Sequence, residues 1–167
     1  MKKEKAIKLA YAAGFFDGEG CVIIQCRHPR HGRSPQHSLI LTVTQKDGKP
    51  LDFLAGIFGG SIFIKDGHSE KDWIHEWRLS DLKAAHFLKA VLPFLIYKKA
   101  QAELAIRFQE RKENYKRGAD GKILALTPHE LEIRETMQKE LSDMKRKFRK
   151  SSHPNVREAQ YLSMVQP

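Results

Sequence analysis

The chain has 167 residues, 30 of them Lys or Arg against 20 Asp or Glu, a formal net charge of +10. That length suits one domain with a substantial core and an extension, and the positive excess points to a polyanionic partner: DNA, RNA or an anionic membrane surface. Two cysteines without Cys/His metal spacing exclude a disulfide scaffold, and no apolar run approaches the roughly 18 residues of a spanning helix. With no secretory leader pattern, a reducing intracellular compartment is expected.

Residues 4–16 predict a helix. Ala6, Ala10, Ala13 and Gly14 fall at i, i+4, i+7 and i+8, so they share one face with almost no side chains, against which another helix backbone can pack closely. Leu9 and Phe16 point elsewhere, toward the helix's own core, and Gly18 and Gly20 stop it. "CVIIQCRH" (21–28) and "SLILTVTQK" (38–46) are β-branched runs of strand length, joined by the basic polar turn "PRHGRSPQ". Cys21 and Cys26 sit five apart on one strand and face opposite sides, which argues against a bridge. In the second strand Leu39, Leu41 and Val43 face a core, while Ser38, Ile40, Thr42 and Thr44 face outward.

"PLDFLAGIFGG" reads as a short helix ended by Gly59–Gly60. "SIFIK" (61–65) and "WIHEWRLS" (73–80) read as strands three and four around the turn "DGHSEKD". In the fourth, Trp73, Trp77 and Leu79 share the core face, and Ile74, Glu76 and Arg78 the other. Ser80 is placed to cap a helix over 81–95, broken near Pro93, and 97–116 predicts a long helix. The order is α-β-β-α-β-β-α-α, an α+β domain with an antiparallel sheet. In the tail, "RGADGK" is a turn, Thr127, Pro128 and Glu130 form a helix start, and that helix runs to about Lys150 through the basic run "KRKFRK". The expected division is a core over 1–117 and a basic helical C-terminal extension over 118–167.

The chemistry concentrates in "AYAAGFFDGEG", residues 10–20. If two copies of the small-residue helix pack about a two-fold axis, two Glu19 carboxylates meet near the dyad and repel unless a cation lies between them. Oxygen-loving Mg²⁺, completed by water and phosphate oxygens, would satisfy them and assist phosphodiester hydrolysis. Taken alone, the same residues also describe a capped and solvated turn.

"AAGFFDGEG" resembles the signature of the LAGLIDADG homing endonucleases in its Ala-Gly-x-x-Asp-Gly-[Asp/Glu]-Gly form. "LTVTQK", "WRLS" and "LPFLIYKKAQAEL" resemble stretches of the single-motif members, so the likeness covers roughly residues 6–110. It implies an αββαββα core with a four-stranded antiparallel DNA-binding sheet. The single motif implies a homodimer. Glu19 matches the motif's last acid, a metal ligand, as Glu where many relatives have Asp, and the Gly18 carbonyl adds a metal contact. Asp17 matches the structural first acid. Gln45 matches a position that orders water at the scissile phosphate, and Lys98 a base that polarises that phosphate or its water. Lys49 matches a further basic residue, although "QKDGKP" departs from relatives in its Gly and Pro.

The resemblance implies Mg²⁺ as cofactor, with Mn²⁺ as a substitute and Ca²⁺ supporting binding without cutting. It implies a long pseudo-palindromic double-stranded DNA target and a source in an organelle (chloroplast or mitochondrion) or a prokaryotic cytoplasm. An antiparallel ribbon enters the major groove, and here the outward face offers Gln25, Arg27, Ser38, Thr42, Thr44, Lys65, Glu76 and Arg78. Arg30 and Arg33 in the first turn, interleaved with His28, His31 and His37, suit phosphate contacts better than a metal. Two rivals share the family: a maturase that binds intron RNA, and a DNA-binding regulator that no longer cuts. The joint presence of Glu19, Gln45 and Lys98 argues against the second.

Overall fold

The computed structural model describes residues 2–28, 35–65, 73–116, 118–119 and 124–151. Arg30, His31 and Arg33, the turn over 66–72 and the chain after 151 lie outside them. The elements are α1 (Lys2–Glu19), β1 (Gly20–Arg27), β2 (Gln36–Gln45), α2 (Lys49–Phe58), β3 (Ser61–Lys65), β4 (Ile74–Ser80), α3 (Asp81–Val91), α4 (Lys99–Glu113) and α5 (Pro128–Ser151). Helices and one antiparallel sheet thus follow in the expected α+β order.

The sheet order is β1-β2-β4-β3, with every neighbouring pair antiparallel. Val22 pairs with Leu41 and Ile24 with Leu39, while Leu41 and Val43 pair onward with Leu79 and Trp77. All seven are buried and form the inward face. Phe87 of α3 meets Phe16 and Trp77 edge-on at ring separations of 5.1 and 5.3 Å. Truncating any of these three rings would cost about 3–5 kcal/mol. The Trp77 indole N–H donates to the Gly59 carbonyl at 2.8 Å. Gly60 has φ 101°, and a Cβ there would press on the Arg78 carbonyl, so the turn into β3 requires glycine.

Four expectations need correction. The first helix continues through Gly18 to Glu19 instead of stopping at Phe16. Its true stop is Gly20, where any Cβ would collide with the Phe16 ring and carbonyl. Ala13 is fully buried in its own subunit's core, so the open stripe is Ala6, Ala10 and Gly14. Trp73 precedes β4 and is 39% exposed, because the ladder to β3 begins only at Ile74. Ser80 holds the N-cap position of α3, but its hydroxyl makes no capping bond. Instead the Asp81 carboxylate, on a backbone with φ 50°, accepts the Leu39 amide at 3.2 Å and the Lys112 ammonium at 2.6 Å.

Pro93 ends α3 in a single 3₁₀ turn over Leu92–Phe94. At the far end of the chain, Thr127 Oγ1 accepts the Glu130 amide at 3.2 Å, half of the expected capping box. The Glu130 carboxylate turns to arginines: it accepts Arg111 Nε and Nη2 at 3.0 and 2.7 Å and Arg134 Nε at 2.8 Å. Burial alone would raise its pKa, but the two guanidinium hydrogen bonds outweigh burial and hold it below the ordinary value. These bonds pin α5 to α4. Leu141 then carries α5 into the core, and the helix runs along β1, covering an edge strand that would otherwise expose unpaired backbone.

Candidate active site

The site is built where α1 ends. The Asp17 carboxylate accepts three backbone amides at the start of α4: Ile96 at 2.7 Å and Tyr97 at 3.1 Å on Oδ2, and Lys98 at 2.8 Å on Oδ1. The Lys98 ammonium donates back to the Asp17 carbonyl. Amides before a helix are orphan donors on a positive dipole end, so a carboxylate there is both a cap and a counter-charge. Asp17 is therefore fully engaged. Glu19, the last residue of α1, is exposed and makes no hydrogen bond or ion pair among the described residues. Gly18 between them is exposed, with nothing within 4 Å of where a Cβ would stand.

Lys98 is half-buried. Desolvation holds its pKa below the ordinary lysine value, and the charges of Asp17, Cys21 and Glu19 offset only part of that. The ammonium is thus easier to deprotonate than a surface lysine, which suits a group that exchanges protons with water near a phosphate.

Gln45 reaches the same end of the sheet. The β1–β2 ladder begins at Gly20–Val43, and Gln45 lies two residues further on, paired with His75. Lys49 opens α2 at the surface, with its amide on Asp47 Oδ1 at 3.0 Å. Its side chain borders a groove with Ile7, Tyr11, Pro50 and Phe53 along α1. Glu19, Lys98 and Gln45 therefore gather at one end of one chain, while Lys49 sits toward the exposed face of α1.

An open cavity of about 600 Å³ adjoins Gly18 and Lys98. Its other walls include Gln101 of α4 and Ser142, Lys145 and Arg146 of α5. The α5 residues are absent from the sequence-based site. For Lys145 and Arg146 the sequence signal is the basic run at 145–150, which reads as a phosphate-contacting end, and nothing in it shows where a helix of that length docks.

The outward face of the sheet carries the residues expected to meet DNA, in two groups. Arg27, Thr44 and Lys65 are exposed, and Gln25, Ser38 and Arg78 are half-buried. Gln25 Oε1 accepts Arg27 Nε at 3.3 Å. Thr42 and Glu76 lie on that face but are buried within it. Thr42 is flanked in the ladder by Cys21 and Arg78. Glu76 binds the Lys65 ammonium and, at 2.8 Å, Arg78 Nη2, while the Arg78 guanidinium lies 5.6 Å from the Phe63 ring centre. Glu76 thus orients two cations instead of presenting its own oxygens. His37 faces inward opposite Cys26, buried with neither ring nitrogen partnered, which removes it from the phosphate-contact group. Cys21 and Cys26 are both free thiols.

The metal implied by the sequence meets a donor set of the right kind. Glu19 is an unengaged hard oxygen donor beside an unobstructed Gly18. Among the described residues no group of three or more His, Cys, Asp and Glu is placed to hold an ion. Among the described residues the end of α1 offers one free carboxylate, Glu19, which fits an ion shared with a second copy and completed by water and phosphate. The exposed stripe of Ala6, Ala10 and Gly14, beside exposed Ile7 and Tyr11, gives α1 a face on which such a copy could pack.

The chain is 37% identical over 117 residues to DNA endonuclease I-CreI of Chlamydomonas reinhardtii, covering 67% of this chain and 68% of that protein. Its fold superposes on the homing endonuclease I-CvuI, in complex with the I-CreI target, with a TM-score of 0.67, 22% identity and coverage of 84% and 83% of the two chains. It superposes equally, at 0.67, on an archaeal intron-encoded homing endonuclease complexed with DNA, at 20% identity and coverage of 83% and 84%. No protein-family model matches the sequence. With its "AAGFFDGEG" motif at the end of α1 and its four-stranded sheet beside it, the chain belongs to the LAGLIDADG homing endonuclease family.

Proposed function

We propose that the protein is a site-specific, divalent-metal-dependent DNA endonuclease that acts as a homodimer on a long, roughly palindromic duplex. The observation that carries this reading is the division of labour in the motif. Asp17 is held by α4, and Glu19 is left as a free carboxylate whose charge acts on the half-buried Lys98. A regulator that had lost cleavage has no need of that arrangement.

Two chains related by a two-fold axis through α1 would bring both Glu19 carboxylates to one place, and with them the Gly18 carbonyls. Mg²⁺ or a similar hard ion, when bound there, supplies Lewis-acid charge at the phosphate and a more acidic water. The chain's own residues do the rest. Lys98, kept at a lowered pKa, faces the attacked phosphate or its water, and Gln45 orients that water. Arg27, Gln25 and Arg78 on the outward face reach base edges, Arg toward guanine and Gln toward adenine. Lys49 supplies positive charge on the flank of α1. Residues 1–117 form the nuclease core, with 118–167 as the basic extension.

The direct test is cleavage selection on a randomised duplex library in Mg²⁺, with an EDTA control. A recovered near-palindromic site, cut only with metal, supports the reading. A protein that binds duplexes selectively and cuts none at any metal concentration overturns it.

A further inference from the structure

We propose that the cavity between β2, α4 and α5 is a binding site for a small phosphate-class oxyanion, which clamps α5 to the body of the fold through Arg134 and His37. The site lies apart from the nuclease chemistry. His37 pairs with Cys26, whereas the motif end of the same ladder is the Gly20–Val43 pair. The stretch of β1 from Gly20 to Cys26 puts about 20 Å between the two at ordinary strand rise. His37 also faces inward, toward the helices, so the ligand is not the backbone of a DNA lying on the outward face. The inference goes beyond the endonuclease reading and does not rest on it.

The cavity measures about 440 Å³, and its walls include His37, Asp81, Lys112 and Arg134. Two of these are buried polar groups without partners. His37 is 2% and Arg134 4% exposed, and neither ring nitrogen of His37 nor Nη2 of Arg134 has a hydrogen-bond partner among the described residues. Buried donors are rarely left in that condition, and these line one cavity. The arginine is held ready. Its Nε donates to Glu130 Oε1 at 2.8 Å, and its guanidinium lies 5.4 Å from the Tyr115 ring centre. Nη2 is thereby fixed in place, and a charged oxygen is its strongest partner. The charge balance of the walls agrees, with Lys112 and Arg134 against Asp81. The Asp81 carboxylate already accepts the Leu39 amide and the Lys112 ammonium. One phosphate oxygen would accept from Arg134 Nη2 and another from a His37 ring nitrogen, with the Lys112 charge alongside. Leu124 and Leu126 add an apolar wall, against which the organic part of a phosphomonoester could lie.

The probe is inorganic phosphate, added to the full chain at neutral pH and compared with sodium chloride of equal ionic strength. The urea midpoint should rise with phosphate and saturate, since a ligand bound only by the folded state stabilises it. The ring resonances of His37 should shift. Burial, Arg134, His28 and Lys112 hold its pKa down against Glu135, and a dianion beside it should raise that pKa. His37→Leu breaks no side-chain hydrogen bond among the described residues, so it should fold and bind phosphate more weakly. Arg134→Lys keeps the charge, loses the fork and should weaken phosphate binding roughly tenfold. Adenosine monophosphate separates the two sources of the anion. Tighter binding than inorganic phosphate assigns the site to organic phosphomonoesters, and weaker binding assigns it to free phosphate. A midpoint that rises no more in phosphate than in chloride overturns the site, as does a phosphate effect undiminished in both variants. Either result leaves the nuclease reading intact, because that reading is judged by DNA cleavage.

Discussion

The Asp17 carboxylate accepts the Lys98 amide at 2.8 Å, and the Lys98 ammonium returns to the Asp17 carbonyl. Residues 81 positions apart are thereby locked together. The carboxylate of the motif's first acid is engaged by the backbone of the next helix. It fixes the start of α4 against the end of α1, and so fixes Lys98 relative to Glu19. A helix that ends in two acids separated by glycine is explained by this: one acid caps another helix, and the other is held free on the last rigid turn.

Asp17→Asn keeps the size of the side chain and one good acceptor, but loses the charge and the second carboxylate oxygen. Three amide hydrogen bonds converge on that group. Stability should fall by about 1–3 kcal/mol, read as a lower urea midpoint. Cleavage at temperatures where the variant is folded should also fall, since Lys98 is no longer fixed, while DNA binding persists. A midpoint equal to that of the unaltered protein would show that α4 does not depend on this cap.

The stripe on α1 predicts an oligomer. Ala6, Ala10 and Gly14 are exposed, and a Cβ at Gly14 would meet nothing in its own chain. Gly14→Leu should therefore leave monomer stability nearly unchanged and separate two packed helices. Sedimentation should show dimer becoming monomer, with cleavage lost in parallel. A variant that remains dimeric and active places the interface elsewhere.

Most of the framework was legible because its signals are local. Strand alternation assigned Leu39, Leu41, Val43 and Trp77 to the core, and Thr127 announced its helix three residues before Glu130. The motif marked Glu19, and its likeness to a family marked Gln45 and Lys98. What the sequence hid is the product of long-range packing. Nothing in the neighbourhood of Glu130 reveals that Arg111 is its partner, and nothing in "KRKFRK" reveals that α5 lies on β1. His37 reads as one of three histidines in a basic turn, yet the β1–β2 register puts it inside, opposite Cys26. Glu76 alternates outward like a base-reading residue, and only its two cationic neighbours on β3 and β4 draw it in. The extension is also less separable than composition suggests. Leu141 belongs to the core, and removing the chain after residue 126 would uncover the β1 edge, so such a truncation should aggregate before it reports on DNA.

Two buried groups predict how stability changes with acid. Burial, and then the Arg134 charge, push the His37 pKa below its ordinary 6.5, with His28 and Lys112 acting in the same direction and Glu135 opposing. The folded protein therefore binds fewer protons at this site than the unfolded chain. The stability it affects is complete above about pH 6.5 and is lost as pH falls through the lowered folded value. Glu130, with its pKa below the ordinary 4.5, acts in the same direction in a lower window: its contribution is complete above about pH 4.5 and is lost below. Urea midpoints should drop in two stages between about pH 7.5 and 3. His37→Leu should remove the upper stage and leave the lower one. An upper stage that persists in that variant assigns it to another group.

Glu19→Gln tests the centre of the proposal. The substitution keeps the shape of the side chain and removes its charge. Glu19 is exposed and makes no hydrogen bond or ion pair among the described residues, so stability should change by no more than about 0.5 kcal/mol. If two such carboxylates share a metal at the dyad, metal affinity should fall, and cleavage in Mg²⁺ should drop by roughly a hundredfold or more, because charge developing at the phosphate loses its stabilising ion. Binding without metal should tighten, since two negative charges beside the DNA backbone have gone. Lys98 supplies an internal check. Glu19 is one of the charges that raise its pKa against burial. Removing that charge should lower the Lys98 pKa further, detectable by the pH dependence of its modification by an amine-reactive probe. Binding and cleavage should be measured side by side in Mg²⁺ and in Ca²⁺. Near-normal cleavage by Glu19→Gln would reject the shared metal site while leaving the fold and the family assignment in place.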